Sequence, residues 1–135
     1  MIIIATARIE SREARYAQDI LVGTHALVAD EPEERGGKDA GPSPYELLLS
    51  ALGACTAMTL RMYAEKKGWD CGAISVGLRF AKDGEADRIE RTLRFSKELD
   101  EEQRSRLLEI ADKTPVTKTI LHGATVRTTI EGGAP

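Results

Sequence analysis

Two cysteines and two histidines are the residues of this sequence best suited to nucleophilic, redox or metal chemistry. Cys55 lies within the uncharged stretch Leu47–Leu60, and Cys71 follows it in the connection to the next predicted strand. His25 and His122 are far apart in the chain, and no nearby residues complete the spacing of a metal site. We therefore expect no metal. No glycine-rich phosphate loop leads from a strand into a helix, so we expect no cofactor either.

The chemistry available to Cys55 depends on its surroundings. A free cysteine inside an apolar helix usually packs as a small hydrophobic residue, and a buried thiol forms little of the reactive thiolate. The dipole of the helix does not change this, because Cys55 lies well beyond the first turn after Ser43, where the dipole acts. A redox role for Cys55 therefore requires a cation that another part of the chain brings to the sulfur.

A disulfide between Cys55 and Cys71 is not expected. The helical residues from Cys55 to Lys67 span about 18 Å, and the residues from Lys67 back to Cys71 reach at most about 14 Å when fully extended. The chain would have to double straight back along the helix to close the bridge. We interpret Cys71 as incidental.

The segment that positions Cys55 is a long helix predicted from about Pro44 to Lys67. Ser43 is suited to the N-cap, with proline at the first helical position, and Glu46 completes a capping box with Ser43. Gly68 marks its end. Because the stretch Leu47–Leu60 is apolar, small or hydroxyl-bearing on every side, it must be covered on all sides. We expect either a sheet or a second subunit to provide that cover.

The predicted strands form two antiparallel groups. Alternation of apolar residues predicts a strand over residues 3–10, and weaker patterns over 15–22 and 24–29 complete an N-terminal meander. Residues 30–44 are predicted to be a loop. A hairpin follows with Asp83-Gly84 in its turn. The apolar residues of each strand share one face, and they are Ile74, Val76, Leu78 and Phe80 on the first strand and Ile89, Leu93 and Phe95 on the next.

The last third of the sequence predicts two shorter helices and a closing strand. Asp100 with Gln103 opens the first of these helices, whose predicted inner face comprises Leu107, Leu108, Ile110 and Ala111. The second begins at Pro115, and the alternating residues Val126, Thr128 and Ile130 suggest the closing strand. The resulting order β-β-β-α-β-β-α-α-β does not alternate strand and helix regularly, so it predicts an antiparallel α+β fold.

Length and composition indicate one ordinary globular domain over residues 1–135, with 41% hydrophobic and 30% charged residues. A net charge of −3 with scattered basic residues disfavours nucleic acid as a partner. No apolar run approaches the ~20 residues that span a bilayer, so no membrane association is expected. Residues 1–4 lack the basic flank of a signal peptide, and two cysteines do not form a secreted disulfide framework. The expected location is the cytoplasm.

Residues 41–59, which read GPSPYELLLSALGACTAMT, resemble the signature of the OsmC/Ohr family. In that signature a proline-led helix carries the peroxidatic cysteine at the spacing that separates Pro44 from Cys55. Residues 104–120 resemble the second signature of the family, and with the strand order the resemblance covers nearly the whole chain. The resemblance implies an intertwined homodimer in which antiparallel sheets from both subunits wrap two central helices.

The resemblance also implies a chemistry, the reduction of small organic hydroperoxides. Cys55 falls on the attacking cysteine. Arg35 falls on the arginine that stabilises the thiolate, in the loop before the helix. Tyr45 stands where the family has a glutamate, and its neighbour Glu46 is turned ~100° away and more simply caps the helix.

The second cysteine of the family is replaced in this sequence. Thr114 stands at its position, where it is also suited to cap the helix that opens at Pro115, and Thr117 stands where many relatives have a histidine. Oxidised Cys55 therefore lacks the usual partner for an intramolecular disulfide, and turnover would need an external thiol or Cys71 from a distance.

Three hypotheses follow from the resemblance and its gaps. The first is a one-cysteine peroxidase of oxidative-stress defence, in which Cys55 and Arg35 react with the hydroperoxide and an external thiol is the reductant. The second is a non-catalytic protein that keeps the fold and binds a small hydrophobic molecule in the pocket at the dimer interface. The third is a helper subunit whose partner supplies the resolving thiol.

Overall fold

The computed structural model describes residues 1–132. The strands are β1 (Arg8–Ser11), β2 (Gln18–Val22), β3 (His25–Ala29), β4 (Ile74–Asp83) and β5 (Ala86–Phe95), and the helices are α1 (Pro44–Lys67), α2 (Glu101–Ala111) and α3 (Pro115–His122). A 3₁₀ turn spans Glu33–Arg35. These elements confirm the α+β class. The chain divides into two compact units, residues 1–51 with 79–90 and residues 52–78 with 91 onward, and the prediction of a single domain stays a prediction.

The first unit contains the meander β1-β2-β3, as predicted. The antiparallel register places Ile9 opposite Ile20, and Ile20 in turn opposite Leu27. The first strand is shorter than expected, because it begins at Arg8 and residues 3–7 lie outside it. Arg8 pairs with Leu21, and β2 ends at the next residue, Val22. Most of the residues before Arg8 therefore have no neighbouring strand to pair with.

The hairpin β4–β5 runs through both units and matches the predicted pattern. Asp83 ends β4, and Gly84 in the turn has a φ of 65°, a left-handed conformation that glycine adopts without strain. Burial alternates along the strands, and the more buried positions of β5 include Ile89, Leu93 and Phe95.

The core of the second unit forms where α2 packs on α1. Leu60, Leu107 and Ala111 are buried there, and the residues packed against them are Tyr63, Trp69, Ile74, Leu93, Phe95, Leu99 and Ile110. The capping box of Asp100 and Gln103 at the start of α2 is confirmed. The prediction that Leu108 belongs to the inner face is wrong, since its side chain is 62% exposed. One helical step turns it ~100° from Leu107.

Helix α1 has the predicted boundaries, but its buried residues lie along a single stripe of its surface. The buried residues on it are Leu52, Thr56, Leu60 and Ala64, whereas Met58 and Met62 are 60% and 66% exposed. The expected cover on all sides is therefore not supplied by residues 1–132 of one chain. The remaining face requires another surface.

The expectation that no segment is long and apolar enough for a membrane needs correction, because α1 meets that criterion by length and composition. The core helices of soluble proteins meet it too. The uncharged stretch Leu47–Leu60 would extend only about 21 Å against a hydrocarbon core of ~30 Å.

The closing strand predicted around Val126, Thr128 and Ile130 is not formed by residues 1–132. Helix α3 ends at His122, and residues 123–132 belong to neither helix nor strand. Val126 is 84% and Ile130 95% exposed. An alternating sequence becomes a strand only beside a partner strand, and none lies beside this segment in the described chain.

Candidate functional site

Cys55 occupies the middle of α1, within the second unit, and its side chain is partly exposed. Its sulfur lies 4.0 Å from Oγ1 of Thr59, one turn later, which is its sole polar contact among residues 1–132. The next residue, Thr56, is fully buried, so Cys55 is turned ~100° from the packed line towards the side that carries Met58 and Met62. The thiol is thus open to small molecules from the uncovered face.

Cys71 is fully buried in the connection between α1 and β4. Its carbonyl oxygen accepts a hydrogen bond from the backbone N–H of Lys97 at 3.4 Å. Both cysteines are free in this structure.

Arg35 ends the 3₁₀ turn of the first unit, in the loop between β3 and α1. Its backbone N–H donates to the carbonyl oxygen of Pro32 at 2.9 Å. The side chain is exposed, and within residues 1–132 it has neither a hydrogen bond nor an ion pair with another side chain. Since Arg35 and Cys55 belong to different units, the prediction that Arg35 serves Cys55 stays a prediction.

Tyr45 and Glu46, at the position of the family glutamate and beside it, have structural contacts in the first unit. The ring of Tyr45 stacks on that of Phe80, with centroids 4.3 Å apart and planes 14° from parallel. Glu46 accepts a hydrogen bond from the backbone N–H of Ser43 at 2.9 Å, while its own N–H donates to Ser43 Oγ at 3.4 Å. The predicted capping box is therefore confirmed. The backbone N–H of Ser43 and, to a lesser degree, its hydroxyl favour the ionised carboxylate and lower the pKa of Glu46.

Thr114, at the position of the second family cysteine, is fully buried and caps α3 as predicted. Its Oγ1 accepts a hydrogen bond from the backbone N–H of Thr117 at 3.3 Å and lies 2.6 Å from Thr117 Oγ1. The hydroxyl of Thr117 also donates to the carbonyl oxygen of Ala111 at 3.2 Å. Threonine oxygens thus meet where the resemblance implied a cysteine and a histidine.

The sequence reasoning missed Arg91, which completes this cluster. One terminal nitrogen donates to Thr56 Oγ1 at 3.0 Å and to Thr117 Oγ1 at 2.9 Å, and the other donates to the carbonyl oxygen of Ala111 at 3.0 Å. A weaker ion pair with exposed Asp112 measures 3.4 Å. The guanidinium therefore joins β5 to α1, to the end of α2 and to α3.

A signal for Arg91 was present in the sequence. The apolar alternation of β5 runs through Ile89, Leu93 and Phe95, and Arg91 occupies the same face between them. An arginine on the inner face of a strand must find partners for its buried donors. The side chain is only 14% exposed, and the partners are hydroxyl and carbonyl oxygens brought from distant parts of the chain.

The fold and the site define an α+β protein with a free, partly exposed thiol on a long capped helix. The model of the family of OsmC-like proteins matches residues 36–129, more than half of the chain. The chain therefore belongs to the OsmC-like family, as the resemblance indicated. No curated protein proved similar to the sequence.

Solved structures share the fold over nearly the whole chain. An OsmC-like protein from Mycoplasma pneumoniae is 14% identical with a TM-score of 0.71, covering 90% of this chain and 89% of its own. The organic hydroperoxide resistance protein OsmC from Legionella pneumophila is 16% identical with a TM-score of 0.65, covering 89% and 90%. The organic hydroperoxide resistance protein OhrB of Bacillus subtilis is 21% identical with a TM-score of 0.59, covering 87% and 90%. At these identities the likeness establishes the fold alone.

Proposed function

We propose that this protein reduces organic hydroperoxides in the cytoplasm, with Cys55 as the attacking thiol and an external thiol as the reductant. The observation that carries the proposal is the free, partly exposed sulfur of Cys55 on the signature helix of an OsmC-like fold. Thr114 has no thiol and its hydroxyl is engaged in the buried cluster, which is why the reductant must come from outside. Some structural neighbours are named organic hydroperoxide resistance proteins.

The chemistry takes place in two stages. The Cys55 thiolate attacks one oxygen of the peroxide, so that an S–O bond forms, the O–O bond breaks, and the departing alkoxide takes a proton to become the alcohol. One external thiol then forms an S–S bond with the sulfenic acid and releases water. A second external thiol breaks this mixed disulfide and returns Cys55 to the thiol. In this proposal Arg35 supplies the positive charge that favours the thiolate.

The proposal includes a homodimer. On α1 the side chains of Met58 and Met62 are more than half exposed, beside Cys55. A second copy of the chain would bury this apolar face and enclose the sulfur. We expect sedimentation to give twice the 14.7 kDa mass of the chain, and the pair Met58→Lys with Met62→Lys to lower that mass. Ser105→Lys, on the exposed side of α2, is the control, and a monomeric wild type would contradict the dimer.

The central experiment measures the loss of an alkyl hydroperoxide when a dithiol is supplied. We expect turnover by the wild type and by Cys71→Ala, because Cys71 is buried, and none by Cys55→Ser. Mass spectrometry after a peroxide pulse without reductant should find the sulfenic acid on Cys55. Equal turnover in Cys55→Ser would eliminate the proposal.

The exposed methionines also favour a second function, the binding of a small hydrophobic molecule without catalysis. Methionine-rich surfaces adapt to varied apolar ligands. This function predicts that Cys55 stays unmodified in millimolar peroxide and that an apolar fluorescent probe binds the wild type more tightly than Met58→Lys. Rapid sulfenylation of Cys55 would count against it.

A further inference from the structure

A buried carboxylate organises the loop that carries Arg35. Asp30 follows β3 directly and is only 3% exposed. One of its oxygens accepts the backbone N–H of Glu31 at 2.8 Å, and the other accepts those of Lys38 at 3.0 Å and Ala40 at 3.2 Å. The carboxylate thus binds the two ends of the segment that contains the 3₁₀ turn.

Backbone contacts close the same loop. The N–H of Asp30 donates to the carbonyl oxygen of Pro42 at 3.1 Å, and the N–H of Asp39 donates to that of Glu31 at 3.1 Å. A Cβ at Gly37 would overlap the carbonyl group of Glu31, so the close approach there requires glycine. The segment 30–42 is therefore one determined conformation rather than a loose connection.

This arrangement is specific for the ionised form of the carboxyl group. An ionised aspartate is an acceptor on both oxygens, which suits three N–H donors. Burial alone would raise the pKa of Asp30, but the hydrogen bonds from Lys38, Ala40 and Glu31 outweigh it and hold the pKa below its ordinary value. The loop is thereby fixed at neutral pH, while the Arg35 side chain stays exposed and without a side-chain partner among residues 1–132.

We propose that Asp30 is a positioning residue for the peroxide reaction: its carboxylate sets the loop conformation in which Arg35 serves Cys55. This inference rests on the proposed function, since it matters only if Arg35 assists the thiolate. The alternative is that Asp30 merely stabilises the first unit. The two differ in whether the effect of changing Asp30 passes through Arg35.

The test is a double-mutant cycle on the rate of sulfenylation of Cys55 by an alkyl hydroperoxide. In Asp30→Asn an amide nitrogen replaces one of the two oxygens and cannot accept, so the side chain loses either the hydrogen bond from Glu31 or those from Lys38 and Ala40. We expect Arg35→Ala to lower the rate constant about 100-fold and Asp30→Asn to lower it about tenfold. In the Arg35→Ala background Asp30→Asn should have no further effect, because groups acting through one interaction are not additive.

Control measurements separate positioning from stability. Asp83→Asn removes an exposed carboxylate paired with Arg88 in the same unit and should keep the wild-type rate. Amide hydrogen exchange at Glu31 or at Lys38 and Ala40 should become faster in Asp30→Asn. Thermal unfolding should show that the variant is folded. If Asp30→Asn does not fold, Gly37→Ala disturbs the loop through the backbone instead, and the same dependence on Arg35 is expected.

The outcomes distinguish the positioning role of Asp30 from the proposed peroxidase function itself. A wild-type rate in Asp30→Asn, together with a slow Arg35→Ala, would overturn the role of Asp30 and leave the peroxidase intact. The role of Asp30 would also be overturned if Asp30→Asn slowed sulfenylation equally in the wild type and in the Arg35→Ala background. A purely structural role predicts that result. A wild type in which Cys55 does not react with the peroxide would overturn both.

Discussion

The loop 30–42 of the first unit holds a buried carboxylate, Asp30, and the cluster of the second unit holds a largely buried guanidinium, Arg91. The two groups have opposite charge and different effects. Asp30 accepts hydrogen bonds from three backbone N–H groups within ten residues of itself. Arg91 donates to oxygens of α1, of α3 and of the end of α2. The carboxylate shapes one local segment, whereas the guanidinium joins elements that are distant in sequence.

The difference teaches how a buried charge can be satisfied without a strong ion pair. Asp30 has backbone donors, which are fixed once the chain turns, and Arg91 has threonine hydroxyls and a carbonyl oxygen, which only packing brings together. A charge bound to its own loop should govern local conformation. A charge bound to several elements should govern the stability of the unit.

The largest effect is expected at Arg91. Arg91→Met keeps much of the side-chain volume but removes the donors to Thr56, Thr117 and Ala111, so we expect a loss of about 2 kcal/mol in the free energy of unfolding. Urea unfolding measures it. Arg94→Met, at an exposed position of the same strand, should change the free energy by less than about 0.5 kcal/mol. Equal effects in the two variants would contradict the view that the cluster joins the unit.

A smaller effect is expected at the other end of the cluster. Thr114→Val is nearly isosteric at a fully buried position but removes the cap of α3 and the contact with Thr117. We expect a loss of about 1 kcal/mol, the usual contribution of an N-cap. Thr119→Val, exposed on α3 and outside the cap, is the control. An unchanged urea midpoint in Thr114→Val would show that the hydroxyl cluster contributes little.

The smallest effect at neutral pH is expected from the charge of Asp30, and it should appear as the solution is acidified. The pKa of Asp30 is lowered from its ordinary value of 3.8, with Arg12 adding to the effect of the backbone donors. Its stabilising contribution is therefore fully present above 3.8 and is lost as the pH falls through the lower folded value. Unfolding followed below pH 4 should have a shallower acid dependence in Asp30→Asn than in the wild type, and identical slopes would contradict this assignment.

Much of the fold was predictable because its signals are local. The boundaries of α1, the capping boxes at Ser43 and Asp100, and the cap at Thr114 all depend on residues within one turn of each other. The strand at residues 3–10 and the closing strand at residues 126–130 were less well predicted. Alternation records which face is apolar but does not supply the partner strand.

The candidate site also has features that the sequence predicted and features that only the folded structure revealed. The sequence by itself determined the family signature, the long helix that carries Cys55 and the absence of a thiol at Thr114, since these are matters of residue type and spacing. Only the tertiary structure decided that Arg91 is bound in a hydroxyl cluster and that Asp30 closes the Arg35 loop. The physical reason is that a buried charge must find its partners wherever the folded chain places them, and one-dimensional spacing does not record those distances.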